Sequence, residues 1–168
     1  NEVLGVATND MGRLKDGTEG PNFEQGIELR AKQTVFSEGC RGHLGKELMK
    51  KFDLNDKNEP QTYAIGIKEL WEIDEKNHKP GLIIHSTGWP LKSDTYGGSF
   101  LYHFGNNLVS IGFVIGLDYK NPYLSPYDEF QRFKHHKEIK KHLKSGRRIS
   151  YGARALNEGG FQSIPKLT

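Results

Sequence analysis

From Leu108 to Leu117 every second residue is apolar, so Val109, Ile111, Phe113, Ile115 and Leu117 form one unbroken hydrophobic face. The positions between them include Ser110, Gly112 and Gly116. That spacing predicts a strand with one well-buried side and one side that a neighbour can approach closely. Ser99 to Phe104 reads as its hairpin partner, joined to it through Gly105-Asn106-Asn107. Tyr63, Ile65 and Ile67 alternate through a further strand over 62–72, bulged near Leu70, and 81–87 is another candidate. The middle of the chain therefore reads as an antiparallel sheet with one covered face. Upstream, the pattern predicts a short strand over 2–8, a polar, glycine-bearing loop over 9–25, and a strand over 26–36 carrying Ile27, Leu29, Ala31 and Val35. A helix over 43–52, with Leu44 and Leu48 on one face, leads into a polar loop over 53–60.

Downstream, Ser125-Pro126 followed by Asp128 and Glu129 is a strong helix start: a capping hydroxyl, a proline where no N–H is needed, and acids on the positive dipole end. Tyr127, Phe130 and Phe133 lie on adjoining positions of this helix. A second helical stretch with Ile139 and Leu143 stops before Gly146, and 147–152 reads as a strand. The tail over 153–168 is expected to close with no helix or strand, and no internal repeat is present.

Composition sharpens this picture in three places. At 168 residues the chain is long enough for one domain with a real core. Its 20 glycines, against a usual share of roughly 7%, point to a loop-rich α/β or β-rich protein. A single cysteine, Cys40, excludes an internal disulfide framework and a cysteine-rich metal site built from these residues alone. No apolar run approaches the roughly 20 residues of a membrane-spanning helix. The chain begins at Asn1 without a start Met and without a signal-peptide pattern, which is expected of a piece of something longer.

The net charge of +3 is uneven, because Arg132 to Arg148 holds eight Lys or Arg against one acid, Glu138. Such a segment is either a solvated helical face or a surface for phosphate groups, with anionic lipid or an acidic protein favoured over nucleic acid. Only Phe133 interleaves an aromatic ring with the basic residues, which weakens a single-strand nucleic-acid reading.

Among chemistry-bearing residues, the seven histidines show no metal-ligand spacing, and no Gly-x-Ser-x-Gly nucleophile turn occurs. Cys40 beside Arg41 is either a thiol of lowered pKa or a small residue in a tight turn. Strand, glycine-rich turn over 37–42, then helix is a geometry that presents backbone N–H groups to an anion or cofactor, or simply turns the chain. Gly88-Trp89-Pro90 and Tyr96-Gly97-Gly98-Ser99-Phe100 carry more. Paired glycines admit a flat ligand to the backbone, and Trp89, Tyr96, Phe100 and Tyr102 would wall a small-molecule pocket. A glycine turn with core aromatics is the alternative on spacing alone.

At these same residues the chain resembles the electron-transfer flavoprotein:ubiquinone oxidoreductase family. The resemblance is carried by Glu59-Pro60-Gln61-Thr62-Tyr63, Gly66-Ile67-Lys68-Glu69-Leu70-Trp71, Gly88-Trp89-Pro90-Leu91 and Thr95-Tyr96-Gly97-Gly98-Ser99-Phe100-Leu101-Tyr102-His103. Gly116-Leu117-Asp118-Tyr119, Asn121-Pro122-Tyr123-Leu124-Ser125-Pro126 and Tyr151-Gly152-Ala153-Arg154-Ala155-Leu156-Asn157-Glu158-Gly159-Gly160 extend it. With Val6-Ala7-Thr8-Asn9-Asp10 and Phe36-Ser37-Glu38-Gly39-Cys40 it covers essentially the whole chain.

The resemblance implies an enzyme with FAD and a [4Fe-4S] cluster on one face of a membrane, taking electrons from electron-transfer flavoprotein to ubiquinone. It places the ubiquinone headgroup at Gly97 and Gly98, with Tyr96 between quinone and flavin. Thr8, Asn9, Asp10, Glu38 and Gly39 would wall the FAD site. No residue here is assigned as catalytic or metal-ligating, since the family's Gly-x-Gly-x-x-Gly unit and cluster cysteines have no counterpart in this stretch. The implied fold is α/β (α+β) with a mixed sheet and a large antiparallel part. Residues 1–55 would be part of the FAD-binding domain, 56–150 the ubiquinone-binding sheet, and 151–168 a return into the FAD-binding domain. The location implied is the matrix face of the mitochondrial inner membrane, or the cytoplasmic face of a bacterial one. Two rivals remain: a related flavoprotein reductase acting on an isoprenoid, and a non-catalytic lipid- or nucleic-acid-binding module using 132–148.

Overall fold

The computed structural model describes residues 2–167, which fall into two compact units divided between Glu38 and Gly39. In the first unit, β1 (Gly5–Ala7) pairs antiparallel with β4 (Glu28–Arg30), and β2 (Met11–Arg13) with β3 (Glu19–Glu24). The polar loop expected over 9–25 is therefore a hairpin. It lies exposed along most of both strands, so no alternation of apolar residues marks it. Asp16 makes its turn by accepting from the Thr18 N–H at 3.0 Å, and Gly17 supplies the positive φ of 86°. The strand expected over 26–36 is a strand only across Glu28–Arg30, flanked by single backbone bonds from the Thr8 N–H to the Ile27 carbonyl at 2.9 Å and from the Ala31 N–H to the Leu4 carbonyl at 3.1 Å.

In the second unit, α1 (His43–Lys51) precedes β5 (Tyr63–Glu72), β6 (Ile83–Thr87), β7 (Gly97–Phe104) and β8 (Leu108–Gly116). Two short helices follow, α2 (Pro126–Lys134) and α3 (Lys137–Lys140), and then β9 (Arg147–Asn157). The five strands form one sheet in the order β6-β7-β8-β5-β9. The α+β composition and the large antiparallel part stand as expected. Every pairing among the described strands is antiparallel, so no parallel component of a mixed sheet is present there.

Register divides the sheet's side chains cleanly. Ile67 faces Phe113 across β5–β8, and Ser99 faces Phe113 across β7–β8. One face thus carries Ile65, Ile67, Glu69 and Trp71 of β5, Val109, Ile111, Phe113 and Ile115 of β8, and Leu101 and His103 of β7. Phe130 and Phe133 of α2, with Ile139 and Leu143 beyond it, bury that face. Phe113 stacks against Phe133 at 5.4 Å and Phe130 at 6.3 Å between ring centroids. Helix α2 begins as its sequence predicts, with the Ser125 hydroxyl accepting from the Asp128 N–H at 3.3 Å. Leu117, expected to extend the buried face, lies past the end of β8 and is 47% exposed.

The chain's end departs from expectation in the same physical way as the first hairpin. The strand expected over 147–152 runs on to Asn157, and a 3-10 turn at Phe161–Ser163 follows it. Ten of the eleven residues of β9 are exposed, since it is the outer strand, and alternation is lost. The irregularity expected near Leu70 is real: Leu70 faces Ser150 while Trp71 faces Arg148, which makes Ile149 of β9 the extra residue. The tail is tied back to the loop before β5, with Gly159 N–H donating to Gln61 at 2.7 Å and Asn58 donating to the Ile164 carbonyl at 2.9 Å.

Candidate functional site

Gly97 and Gly98 open β7, at the corner of the sheet where β6 ends. The Gly116 N–H donates to the Tyr96 carbonyl at 2.9 Å, so Tyr96 and Gly116 form a hydrogen-bonded pair. By the alternation of an antiparallel ladder, the Gly97 N–H then points away from β8, toward the side of β6. There β6 stops at Thr87, opposite Gly98. The covered side of this corner is full: a side chain on Gly97 would run into Leu91 and the Val114 carbonyl. On the other side, a side chain on Gly98 would meet the Ser86 carbonyl.

That open side carries Gly98, Phe100, Tyr102 and Phe104 of β7, Thr87 and His85 of β6, and Gly66, Lys68 and Leu70 of β5. The close approach expected at Gly112 is made by the ring of Phe100, which lies where a Cβ on Gly112 would be. Phe100 stacks on Tyr102 at 4.9 Å. The Tyr102 hydroxyl meets His85 Nε2 at 3.2 Å. Beyond Phe100 and Phe104 the face is a groove of about 590 Å³, floored by Gly66, Leu70 and Val114 and walled by Leu156 and Arg154 of β9.

Of the aromatic walls expected from sequence, Phe100 and Tyr102 share this face. Tyr96, 67% exposed, lies against Gly116 at the corner. Trp89 goes elsewhere: its ring sits 5.1 Å from His136, with Arg132 5.9 Å above it, among residues of the helical segment. His85 is the residue that the sequence reading missed. Its period-two spacing from Thr87, and the cross-strand match to Phe100, are the signals that place it.

The expected FAD contacts are divided, with Thr8, Asn9, Asp10 and Glu38 in the first unit and Gly39 in the second. Two of them already have partners. The Thr8 hydroxyl accepts from the Ile27 N–H at 2.9 Å, and the Asp10 carboxylate accepts from the Gly26 N–H at 2.8 Å and Arg13 Nε at 2.9 Å. The Gly26 amide and then Arg13 hold the Asp10 carboxyl below the usual range. Gly39 has φ of 82° and open space where a Cβ would be.

The basic segment is largely spent on ion pairs within the chain. Arg132 pairs with Glu129, Lys141 with Glu138, and Arg147 with Glu72. Lys134 and Arg148 both reach Glu69, which is 2% exposed and also accepts from Trp71 Nε1 at 2.8 Å. Burial raises the Glu69 pKa, but hydrogen bonds from Lys134, Trp71 and Arg148 outweigh it and the net direction is down. The same segment supplies a buried histidine chain. The Lys79 N–H donates to His103 Nδ1 at 3.2 Å, and His103 Nε2 meets His142 Nδ1 at 3.0 Å. With Nδ1 as acceptor, His103 carries its proton on Nε2 and donates to His142, so both rings are neutral. Burial first, then the neighbouring His142, His78 and Lys79, pushes the His103 pKa down to about 4. Among the described residues no three His, Cys, Asp or Glu side chains converge as a metal site, and no helix is long and apolar enough to cross a membrane.

Comparison with known proteins adds the following. The mitochondrial electron transfer flavoprotein-ubiquinone oxidoreductases of Sus scrofa and Homo sapiens are each 66% identical over 168 residues, covering 99% of this chain and 27% of the relative. That of Caenorhabditis elegans is 59% identical, over 98% of this chain and 28% of its own length. The chain thus spans little more than a quarter of the curated relatives it matches. Among solved structures, the flavin-dependent brominase Bmp2 matches over 92% of this chain and 38% of its own, at 17% identity and a TM-score of 0.47. The family model described as "ETF-QO, ubiquinone-binding" matches residues 63–156, the whole of the sheet from the start of β5 almost to the end of β9. With more than half of its length so matched, the chain belongs to the ubiquinone-binding family of electron transfer flavoprotein-ubiquinone oxidoreductases.

Proposed function

We propose that this chain is the quinone-binding part of a membrane-associated oxidoreductase that passes electrons from reduced electron-transfer flavoprotein to ubiquinone. The feature that carries the reading is the corner at Gly97 and Gly98: by the alternation of the ladder the Gly97 N–H is aimed past the end of β6, beside the sheet face that carries Phe100 and Tyr102. The Gly97 N–H binds one quinone oxygen, and Tyr96 lies beside the headgroup on the flavin side. Residues 56–150 form the ubiquinone-binding domain, while 1–55 and 151–168 belong to the FAD-binding domain, with β9 crossing the boundary at 150. FAD supplies the electron chemistry when bound. Thr8, Asn9, Asp10, Glu38 and Gly39 are the proposed FAD contacts, with the Thr8 and Asp10 side chains already hydrogen-bonded to the Ile27 and Gly26 amides. Cys40 alone does not fit a [4Fe-4S] cluster, so the cluster's ligands belong to other parts of the full-length protein.

The donor partner is electron-transfer flavoprotein, and the working location is the matrix face of the mitochondrial inner membrane. The membrane surface attracts what remains of the basic segment, Lys137, Lys140 and Lys144. Because five of its eight cations are already in ion pairs, a binding module resting on that charge is the weaker reading.

The test is photolabelling of the full-length flavoprotein with an azido-ubiquinone. Label between Thr87 and Phe104, competed by unlabelled ubiquinone, is the expected result; competed label confined to another segment overturns the site. A side chain on Gly97 would clash with Leu91, so the matching variant is Tyr96→Ala. It is expected to raise the KM for ubiquinone and leave flavin reduction by the donor unchanged.

A further inference from the structure

Reduction of a quinone to a quinol takes two electrons and two protons, one proton on each carbonyl oxygen, and the flavoprotein reading above, on which this inference rests, accounts only for the electrons. We propose that His85 delivers one of the two protons, held in place by Tyr102. On the open face of the sheet, Thr87 lies opposite Gly98 and His85 lies opposite Phe100. One step of the strand, two residues or about 7 Å, separates the two pairs. A ring bound by one oxygen at Gly97 and laid along this face toward Phe100 brings its other oxygen to the His85 side.

Of the open-face side chains on β6 and β7, the two strands that meet at Gly98, His85 is the one suited to donate, whereas Lys68 of the same face stands on β5, beyond β8. Phe100 has no polar atom, Thr87 has no proton to give near neutral pH, and the Tyr102 hydroxyl is committed to His85 Nε2 at 3.2 Å. That bond fixes the ring. In the imidazolium, Nε2–H donates to the Tyr102 oxygen, and Nδ1–H is the proton free to leave. Its bond breaks as the reduced quinone's O–H bond forms, and the neutral ring keeps its Nε2–H on Tyr102. His85 is solvent-exposed, so water restores the proton. The oxygen at Gly97 takes its own proton from water. Tyr102, in turn, is clamped by the stacked ring of Phe100, which fills the space over Gly112. The pair therefore has a positioned acid and a packed positioner, built on strands rather than loops.

The test uses the full-length, FAD-loaded protein with His85→Gln and His85→Ala. His85→Gln is expected to lower kcat for ubiquinone reduction by about 100-fold with KM little changed, as for a lost general acid. Reduction of ferricenium, which takes electrons without protons, stays at the wild-type rate. Added imidazole restores ubiquinone reduction in His85→Ala. Tyr102→Phe lowers kcat less than His85→Gln and is not rescued by imidazole. An unchanged kcat in His85→Gln overturns the proposal, as does an equal loss with ferricenium. If Tyr96→Ala still raises the quinone KM in that case, the site stands and only the proton donor is wrong. Photolabel outside 87–104 removes both.

Discussion

The two faces of the five-stranded sheet are built from the same strands and do opposite things. On the helix-bearing face, Leu101, Val109, Ile111 and Ile115 are fully buried, and two polar pairs lie among them: Glu69 with Lys134, His103 with His142. On the open face, the Phe100 ring lies over Gly112 of the next strand, and the polar pair there, His85 with Tyr102, reaches solvent. A buried charge must be matched at once by its own chain, whereas an exposed one stays available to a ligand. The difference teaches where to look for chemistry here. The strongest electrostatic interactions hold the fold, and the weakly held polar groups are the ones left accessible to a ligand.

Substitutions can break this contrast, and the largest effects belong on the covered face. Phe130→Ala should cost about 3–5 kcal/mol in urea unfolding, since it removes a ring stacked on Phe113 and leaves a cavity. Glu69→Ala should cost about as much, roughly 3–5 kcal/mol, because Lys134 is left buried with no counter-charge. Glu69→Ala with Lys134→Met should recover most of that loss, and failure to do so would mean the pair also sets the geometry of β5 against α2.

Acidification should come next. Unfolded imidazoles take up protons near pH 6.5, while folded His103 resists until about 4 and His142 is shifted in the same direction. The stabilisation is therefore fully present above about pH 6.5 and drains away as pH falls toward 4. Thermal midpoints recorded across that window should fall, and His103→Asn should flatten the slope. On the open face, Gly112→Ala should displace the Phe100 ring and cost about 1–3 kcal/mol, the usual range for overpacking. Tyr151→Ser, on the outer strand and 76% exposed, should move unfolding by no more than about 0.5 kcal/mol.

How much of this was legible in the sequence follows from the same two faces. Val109, Ile111, Phe113 and Ile115 announce a strand because one side meets a core and the other does not, so alternation survives in the letters. Ser125, Pro126 and the acids after them mark α2 through local chemistry alone. The hairpin of β2 and β3 and the second half of β9 left no such trace, since most of their residues face solvent. At the proposed site, Gly97 and Gly98 stand out in sequence through the long motif around them. His85 does not, because its meaning comes from a partner, Tyr102, that lies 17 residues away and becomes a neighbour only through the β6–β7 register. Trp89 misled for the converse reason: it stands next to the motif in sequence and turns to His136 in space.

The position of β9 has a consequence for how the molecule is made. Strand β5 sits inside the sheet, yet Tyr63 pairs with Asn157, and β8 and both helices are synthesised between them. As the chain emerges from the ribosome, β5 joins β8 first and its other edge stays bare until β9 arrives. Pairing across so long a separation is intrinsically slow, and the waiting edge is an invitation to another nascent chain. The bulge at Ile149 and the cations Arg147 and Arg148, paired with Glu72 and Glu69 of β5, stand at the end of β9 that is synthesised first.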